Sequence, residues 1–160
     1  LTSEPGRGTT VSILLPRIDT VTAAPSEAPV EPATVGGTET VLVVEDDAAL
    51  KNLVASVLRQ AGYGVLEAES GEEAVQVAAQ HAGSIDLLVC DVVMPGMTTA
   101  GLARRLLLSR PTMKLLYMSG YTHDKEHLSL GPDSDFLAKP FSPDNLLSHV
   151  RRLLDRSASK

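Results

Sequence analysis

The chain has little of several things that would mark particular functions. Its 160 residues hold one cysteine, no tryptophan and five other aromatics. The single Cys90 excludes an internal disulfide and any multi-cysteine zinc site. Tyr117, Tyr121, Phe136 and Phe141 crowd into one stretch, which leaves no stripe on which bases could stack. The longest apolar runs span only a few residues, far short of the ~20 that a membrane helix needs. Basic groups are outnumbered, 14 against 20 acidic, giving a formal charge of −6 and a pI near 5.1. Phosphate-backbone binding rests on Lys and Arg, so direct nucleic-acid binding is not expected. No charged-then-apolar leader follows Leu1, and with the lone cysteine this makes a soluble, reducing, cytoplasmic setting the expectation. At 43% hydrophobic and 21% charged residues, the chain has enough apolar material for one domain core with something left over.

What is present divides into three segments and a short tail. Residues 18–37 are rich in Ala, Pro and Thr, carry three prolines and end on Gly36-Gly37, with no apolar period of 2 or 3.6. This reads as a flexible linker, its ends roughly 25 Å apart on average. Residues 1–17 place Val11, Ile13 and Leu15 in alternation, like one strand face, which a lone strand cannot bury. From residue 38 to 156, strand and helix patterns alternate five times, and 157–160 form a tail. Expected strands are 41–44, 64–67, 85–90, 113–118 and 135–138. Helices are expected from Asp47 as N-cap to Gly62, from a Ser70/Glu73 capping box to His81, over 100–109, over a short stretch 123–130, and from the Ser142-Pro143 start through Leu154. Alternation of this kind implies parallel strands joined by right-handed crossovers, an α/β three-layer sandwich.

The strand ends carry the chemistry. The first strand runs into Glu45-Asp46-Asp47, the third into Asp91, the fourth into Ser119 and the fifth into Lys139-Pro140. In a parallel sheet these lie on one rim, where ligands bind. Carboxylates converging there repel one another, and a hard divalent cation such as Mg²⁺ relieves the repulsion. Lys139 adds a compact charge and Ser119 a hydroxyl, both suited to phosphoryl oxygens. Asp47 is the helix cap.

Taken together, Val41-Leu-Val-Val-Glu-Asp-Asp47, Asp91-Val-Val-Met-Pro95, Met118-Ser-Gly-Tyr-Thr122 and Leu137-Ala-Lys-Pro-Phe141 resemble the receiver domain of two-component signalling, over roughly Thr38 to Arg156. The resemblance implies a flavodoxin-like (βα)5 fold with sheet order 2-1-3-4-5. It further implies Asp91 as phosphoacceptor, with Asp46 a direct Mg²⁺ ligand, Glu45 acting on the ion mainly through water, and the Val93 carbonyl another ligand. Ser119 would hydrogen-bond the phosphoryl group, Lys139 would ion-pair with it, and Phe136 would be a core aromatic whose rotamer follows Ser119. Val93 and Tyr121 would cover the path of the hydrolytic water and lengthen the life of the phosphorylated state. The Lys139–Pro140 peptide is expected to be cis. The chain departs from the family at Thr99, where a glycine is usual, so the start of the third helix is expected to shift. Pro5-Gly-Arg-Gly-Thr-Thr-Val-Ser-Ile-Leu-Leu-Pro16 is similar to the last glycine box and closing strand of a histidine-kinase ATP-binding domain. The two resemblances together imply the C-terminal slice of a hybrid sensor histidine kinase, without its ATP site. The implied partner is a histidine kinase or a histidine-phosphotransfer protein.

Other readings fare less well. An aspartyl-phosphate phosphatase needs an acid two residues beyond its nucleophile, and Val93 stands there. A degenerate receiver that only docks partners is the alternative, against which the intact Asp46, Asp91, Ser119 and Lys139 set argues. His123-Asp-Lys-Glu-His127 matches a zinc-peptidase pattern, but no later glutamate supplies the third ligand, which leaves a solvated short helix. Cys90 reads as an inert core thiol.

Overall fold

The computed structural model describes residues 2–4, 6, 8–12, 36–120 and 131–156. The chain divides into two compact units, 1–33 and 34–160.

In the first unit, β1 (Thr2–Glu4) pairs antiparallel with β2 (Gly8–Thr10), Thr2 opposite Thr10. Gly6 and Gly8, with φ of 78° and 88°, turn the chain back between them, a conformation that glycine adopts without a Cβ clash. Of the expected strand face only Val11 is described, and it lies outside the two strands. The pairing is made by upstream threonines and glycine, and Val11 follows β2 with 64% of its surface exposed. Ile13, Leu15 and residues 18–35 of the expected linker lie outside the described residues.

The second unit runs β3 (Thr40–Val44), α1 (Ala48–Gln60), β4 (Gly64–Ala68), α2 (Gly71–Gln80), β5 (Leu87–Asp91), α3 (Thr99–Ser109), β6 (Lys114–Ser119), β7 (Ser134–Ala138) and α4 (Pro143–Asp155). The five strands form one parallel sheet in the order β4-β3-β5-β6-β7. Counted within this sheet alone, the order is 2-1-3-4-5. The helix expected over 123–130 lies outside the described residues.

Alternate residues of each strand feed two separate cores, which makes the three layers visible in the contacts. Leu42, Val44, Leu88, Cys90, Leu115 and Tyr117 pack with Ala74, Ala78, Leu102 and Leu106 of α2 and α3. Val41, Val43, Leu87, Val89, Leu116 and Met118 pack with Val54, Leu58, Leu146 and Val150 of α1 and α4. The runs 41–44 and 87–90 are buried on both faces, as continuous apolar strands in a parallel sheet must be. Helix starts follow the side chains. Asp47 Oδ1 accepts from the Ala49 and Leu50 N–H groups at 2.8 and 3.0 Å, and Ser142 Oγ accepts from Asn145 N–H beside Pro143 in the first turn. Ser70 caps α2, but the Glu73 carboxylate reaches back to Glu69 N–H at 2.7 Å, one residue earlier than a capping box would place it.

Every strand has at least one limit one or two residues from the expected one, and β5 differs most. β5 begins at Leu87 rather than Ile85, because Asp86 joins Thr40 through its side chain: its carboxylate accepts from Thr40 N–H while its own N–H donates to Thr40 O, both at 2.8 Å. The same strand continues one residue further, through Asp91, paired to Met118.

Candidate functional site

Three strands of one parallel sheet deliver the site. The chain leaves β3 through Glu45 and Asp46, β5 ends on Asp91, and Lys139 follows β7. Because β3 lies beside β5, Glu45, Asp46 and Asp91 come together, with ligand oxygens that all fall within 4.8 Å of one another. Glu45 is buried, Asp91 half-buried and Asp46 exposed, so the group opens to solvent on one side. Lys139 Nζ bridges the two enclosed carboxylates, 2.8 Å from Glu45 Oε2 and 2.7 Å from Asp91 Oδ2. The other Asp91 oxygen accepts from Val93 N–H at 3.1 Å. The Lys139–Pro140 peptide is cis.

The electrostatics follow from this crowding. Burial pushes the Glu45 carboxyl above its ordinary value; Lys139 opposes the rise, and the Asp91 charge adds to it. Burial works against the charge on Lys139, but hydrogen bonds to Asp91 and Glu45 outweigh it and raise its pKa. Three carboxylates thus gather around one ammonium group that contacts two of them, a donor set of hard oxygens with a surplus of negative charge. That set fits Mg²⁺, which takes carboxylate oxygens and keeps several waters.

Ser119 is the last residue of β6, fully buried, and opposite Ala138 in the ladder. The Lys139 N–H donates to its carbonyl at 2.7 Å, so Ser119 and Lys139 stand on adjacent strand ends. Val93 is 61% exposed. Phe136 pairs with Tyr117 across the β6–β7 ladder and packs against the edge of the first core. It is half-buried, at the margin of that core rather than inside it as expected, on the last strand of the described sheet. Tyr121, and the His123–His127 pattern with it, lie outside the described residues. Cys90 is fully buried, and burial raises its thiol pKa, with the Asp91 and Glu45 charges adding to the shift.

Two features of the rim escaped the sequence reading. Lys51, four residues beyond the Asp47 cap, is buried and reaches Glu69 beyond β4 at 2.6 Å. Only the strand order brings those two together. Thr99, noted in sequence as a departure, is 3% exposed, and its hydroxyl lies 2.8 Å from the Asp91 carbonyl oxygen and 3.0 Å from that of Val92. The third helix accordingly starts at Thr99, with Thr98 as its cap.

A parallel five-stranded sheet with helices on both faces, and acidic groups facing a lysine at its carboxyl rim, defines a class that known proteins share. The chain belongs to the response regulator receiver domain family, whose model matches residues 41–151. It is 39% identical to the sensor kinase CckA of Brucella abortus over 96% of its length, which is 17% of that protein. It is 34% identical to the phosphate regulon transcriptional regulatory protein PhoB of Pseudomonas aeruginosa, over 74% of this chain and 53% of PhoB. The chain therefore spans about half of one such relative and a much smaller part of the other. Among solved structures, it is similar to the receiver domain from hybrid histidine kinase CckA, at 36% identity and a TM-score of 0.63 over 72% of this chain and 98% of that one. The chemotaxis protein CheY4 of Vibrio cholerae matches at 28% identity and a TM-score of 0.65, over 73% of this chain and 99% of that one. Among the described residues, no helix is long and apolar enough to cross a membrane.

Proposed function

We propose that the chain is a phosphoacceptor module, taking a phosphoryl group from a phosphohistidine onto Asp91. The observation that carries this reading is the placement of Lys139 Nζ against both Asp91 and Glu45, inside an acidic group that fits a divalent cation. In the transfer, an Asp91 carboxylate oxygen forms a bond to phosphorus while the phosphorus–nitrogen bond breaks and its electron pair returns to the imidazole. Lys139 holds the acceptor in place and meets the incoming phosphoryl charge, and the Ser119 hydroxyl is the hydrogen-bond donor on the neighbouring strand end. Asp46, Asp91 and the Val93 carbonyl would hold Mg²⁺, with Glu45 acting mainly through water, and the ion would offset charge on the acceptor and on the phosphoryl oxygens. Movement of Ser119 toward the phosphoryl group, followed by Phe136, shifts the population of the β6–β7 face and so changes what docks there.

The donor is a histidine kinase or a histidine-phosphotransfer protein. Residues 1–17 are the end of a histidine-kinase ATP-binding domain, 18–37 a linker, 38–156 the receiver and 157–160 a tail. The whole belongs to a hybrid sensor kinase whose receiver works in the cytoplasm. Support comes from the similarity to a sensor kinase over nearly the whole chain, the first segment included. The test is incubation with Mg²⁺ and a small phosphoramidate, followed by intact mass and mapping of the hydroxylamine-labile adduct. The reading expects one adduct on Asp91, absent without the metal. An equal adduct in Asp91→Asn would overturn it.

A further inference from the structure

Two neighbouring threonines open α3 and do different work. Thr98 is the N-cap, its Oγ1 accepting from Gly101 N–H at 3.2 Å. Thr99 is buried between exposed Thr98 and Ala100, and its hydroxyl points back to β5. It has one proton to share between the Asp91 and Val92 carbonyl oxygens, 2.8 and 3.0 Å away.

Those carbonyls lie where the sheet stops supporting the strand. β3 pairs with β5 only as far as Cys90, and the last bond to β6 is from Val92 N–H to Met118 O at 2.9 Å. Each peptide unit is a rigid plane, so fixing its carbonyl also fixes its N–H. The Asp91–Val92 plane is held at its N–H by Met118 and at its carbonyl by Thr99. The Val92–Val93 plane is held at its carbonyl by Thr99, and its N–H donates to Asp91 Oδ1 at 3.1 Å. The hydroxyl of Thr99 is thus one rigid plane away from the carboxylate.

We propose that Thr99 is a positioning residue for Asp91: its hydroxyl pins the Val92–Val93 peptide plane whose N–H orients the acceptor carboxylate. The inference rests on the reading of Asp91 as phosphoacceptor. The contact itself is made by the chain's own atoms and has its own readout.

The experiment compares the parent with Thr99→Val, which keeps the shape without the hydroxyl, and Thr99→Ser, which keeps the hydroxyl. Two quantities are measured: amide hydrogen exchange at Val93 in metal-free protein, with Leu116 in the core as control, and the rate of Asp91 adduct formation from phosphoramidate at saturating Mg²⁺. Thr99→Val should speed Val93 exchange and slow adduct formation, each about tenfold, as loss of a positioning contact does. Leu116 exchange should not change, and Thr99→Ser should restore both quantities. Should Thr99→Val fail to fold, Thr99→Ala is read in the same two ways. Parent-like Val93 exchange and rate in the hydroxyl-free variant, or no rescue by serine, overturns the proposal. A parent that takes no phosphoryl group while Val93 exchange still responds to Thr99→Val overturns the reading of Asp91 and leaves the contact standing.

Discussion

Glu39 and Glu45 flank the same strand, β3, one before its amino end and one after its carboxyl end, and each meets a cation. Their environments pull in opposite directions. At the amino end, Arg151 of α4 donates to Glu39 Oε1 at 2.8 Å, and that hydrogen bond holds the carboxyl below its ordinary value. The guanidinium also meets Asp155 at 2.9 Å, and its own pKa is raised, chiefly by the Glu39 hydrogen bond. At the carboxyl end, burial lifts the Glu45 carboxyl despite Lys139, with Asp91 and Asp46 crowding the same place. The first pairing locks the chain entry against α4. A side chain on Gly37 would collide with the Glu39 carboxylate and the Tyr63 ring, so the packing there is close. The second leaves negative charge uncompensated. One end of the strand is closed by a matched ion pair, and the other stays open with more carboxylates than cations.

The largest expected effect lies at the open end. Asp91→Asn should abolish the phosphoryl adduct, whereas Glu39→Gln should leave it at the parent level when both are followed by intact mass. Comparable losses in both would erase the distinction between the two ends.

Next in size is the lifetime of the adduct. Val93 offers no polar atom on its side chain to guide a water, and Tyr121 is expected to cover the approach. The Val93→Asn, Tyr121→Glu double variant should therefore lose its phosphoryl group about tenfold faster than the parent after donor removal. Equal decay would mean that these two positions do not set the lifetime.

At the closed end the effect is on stability. Glu39→Gln breaks a half-buried charged hydrogen bond and should cost about 1–2 kcal/mol in urea unfolding, between exposed and fully buried pairs. The pH dependence has a definite sign. Because Arg151 lowers the Glu39 carboxyl from 4.5, the folded state binds fewer protons there than the unfolded chain. The Glu39 contribution is complete above that ordinary value and is lost as the pH falls through the lower folded-state value. The difference in stability between the parent and Glu39→Gln should therefore shrink on acidification below about pH 4.5. A difference that held constant down to low pH would remove the ion pair from the account.

How much of this was legible in sequence differs between the two ends in the same way. The open end is written in short motifs, since each group of the site directly follows an apolar run: Glu45-Asp46 after 41–44, Asp91 after 87–90, Lys139 after the shorter Phe136-Leu137-Ala138. Strand order then brings them together, and the five-strand alternation was enough to read the layers. Contacts between distant elements left no such trace. Glu39 and Arg151 are 112 residues apart, and Lys51 and Glu69 meet only because β4 lies beside β3. Thr99 was visible as an unusual residue, but its hydroxyl contacts depend on how the first turn of α3 is set against β5. In the first segment, alternation at Val11 suggested a strand face, whereas the pairing belongs to Thr2–Glu4 and Gly8–Thr10. Two short strands without apolar periodicity give no such signal.

The comparison of the two ends is tested most directly by a Mg²⁺ titration of four proteins: the parent, Asp46→Asn, Asp47→Asn and Glu39→Gln. Asp46 belongs to the acidic group, while the Asp47 carboxylate is occupied in capping α1 and Glu39 is closed against Arg151. Asp46→Asn should weaken Mg²⁺ binding by about tenfold or more, in line with loss of a charged oxygen ligand. Asp47→Asn and Glu39→Gln should bind as the parent does. Equal weakening in Asp46→Asn and Asp47→Asn, or no Mg²⁺ binding by the parent, would contradict the assignment of the open end as the cation and phosphoryl site.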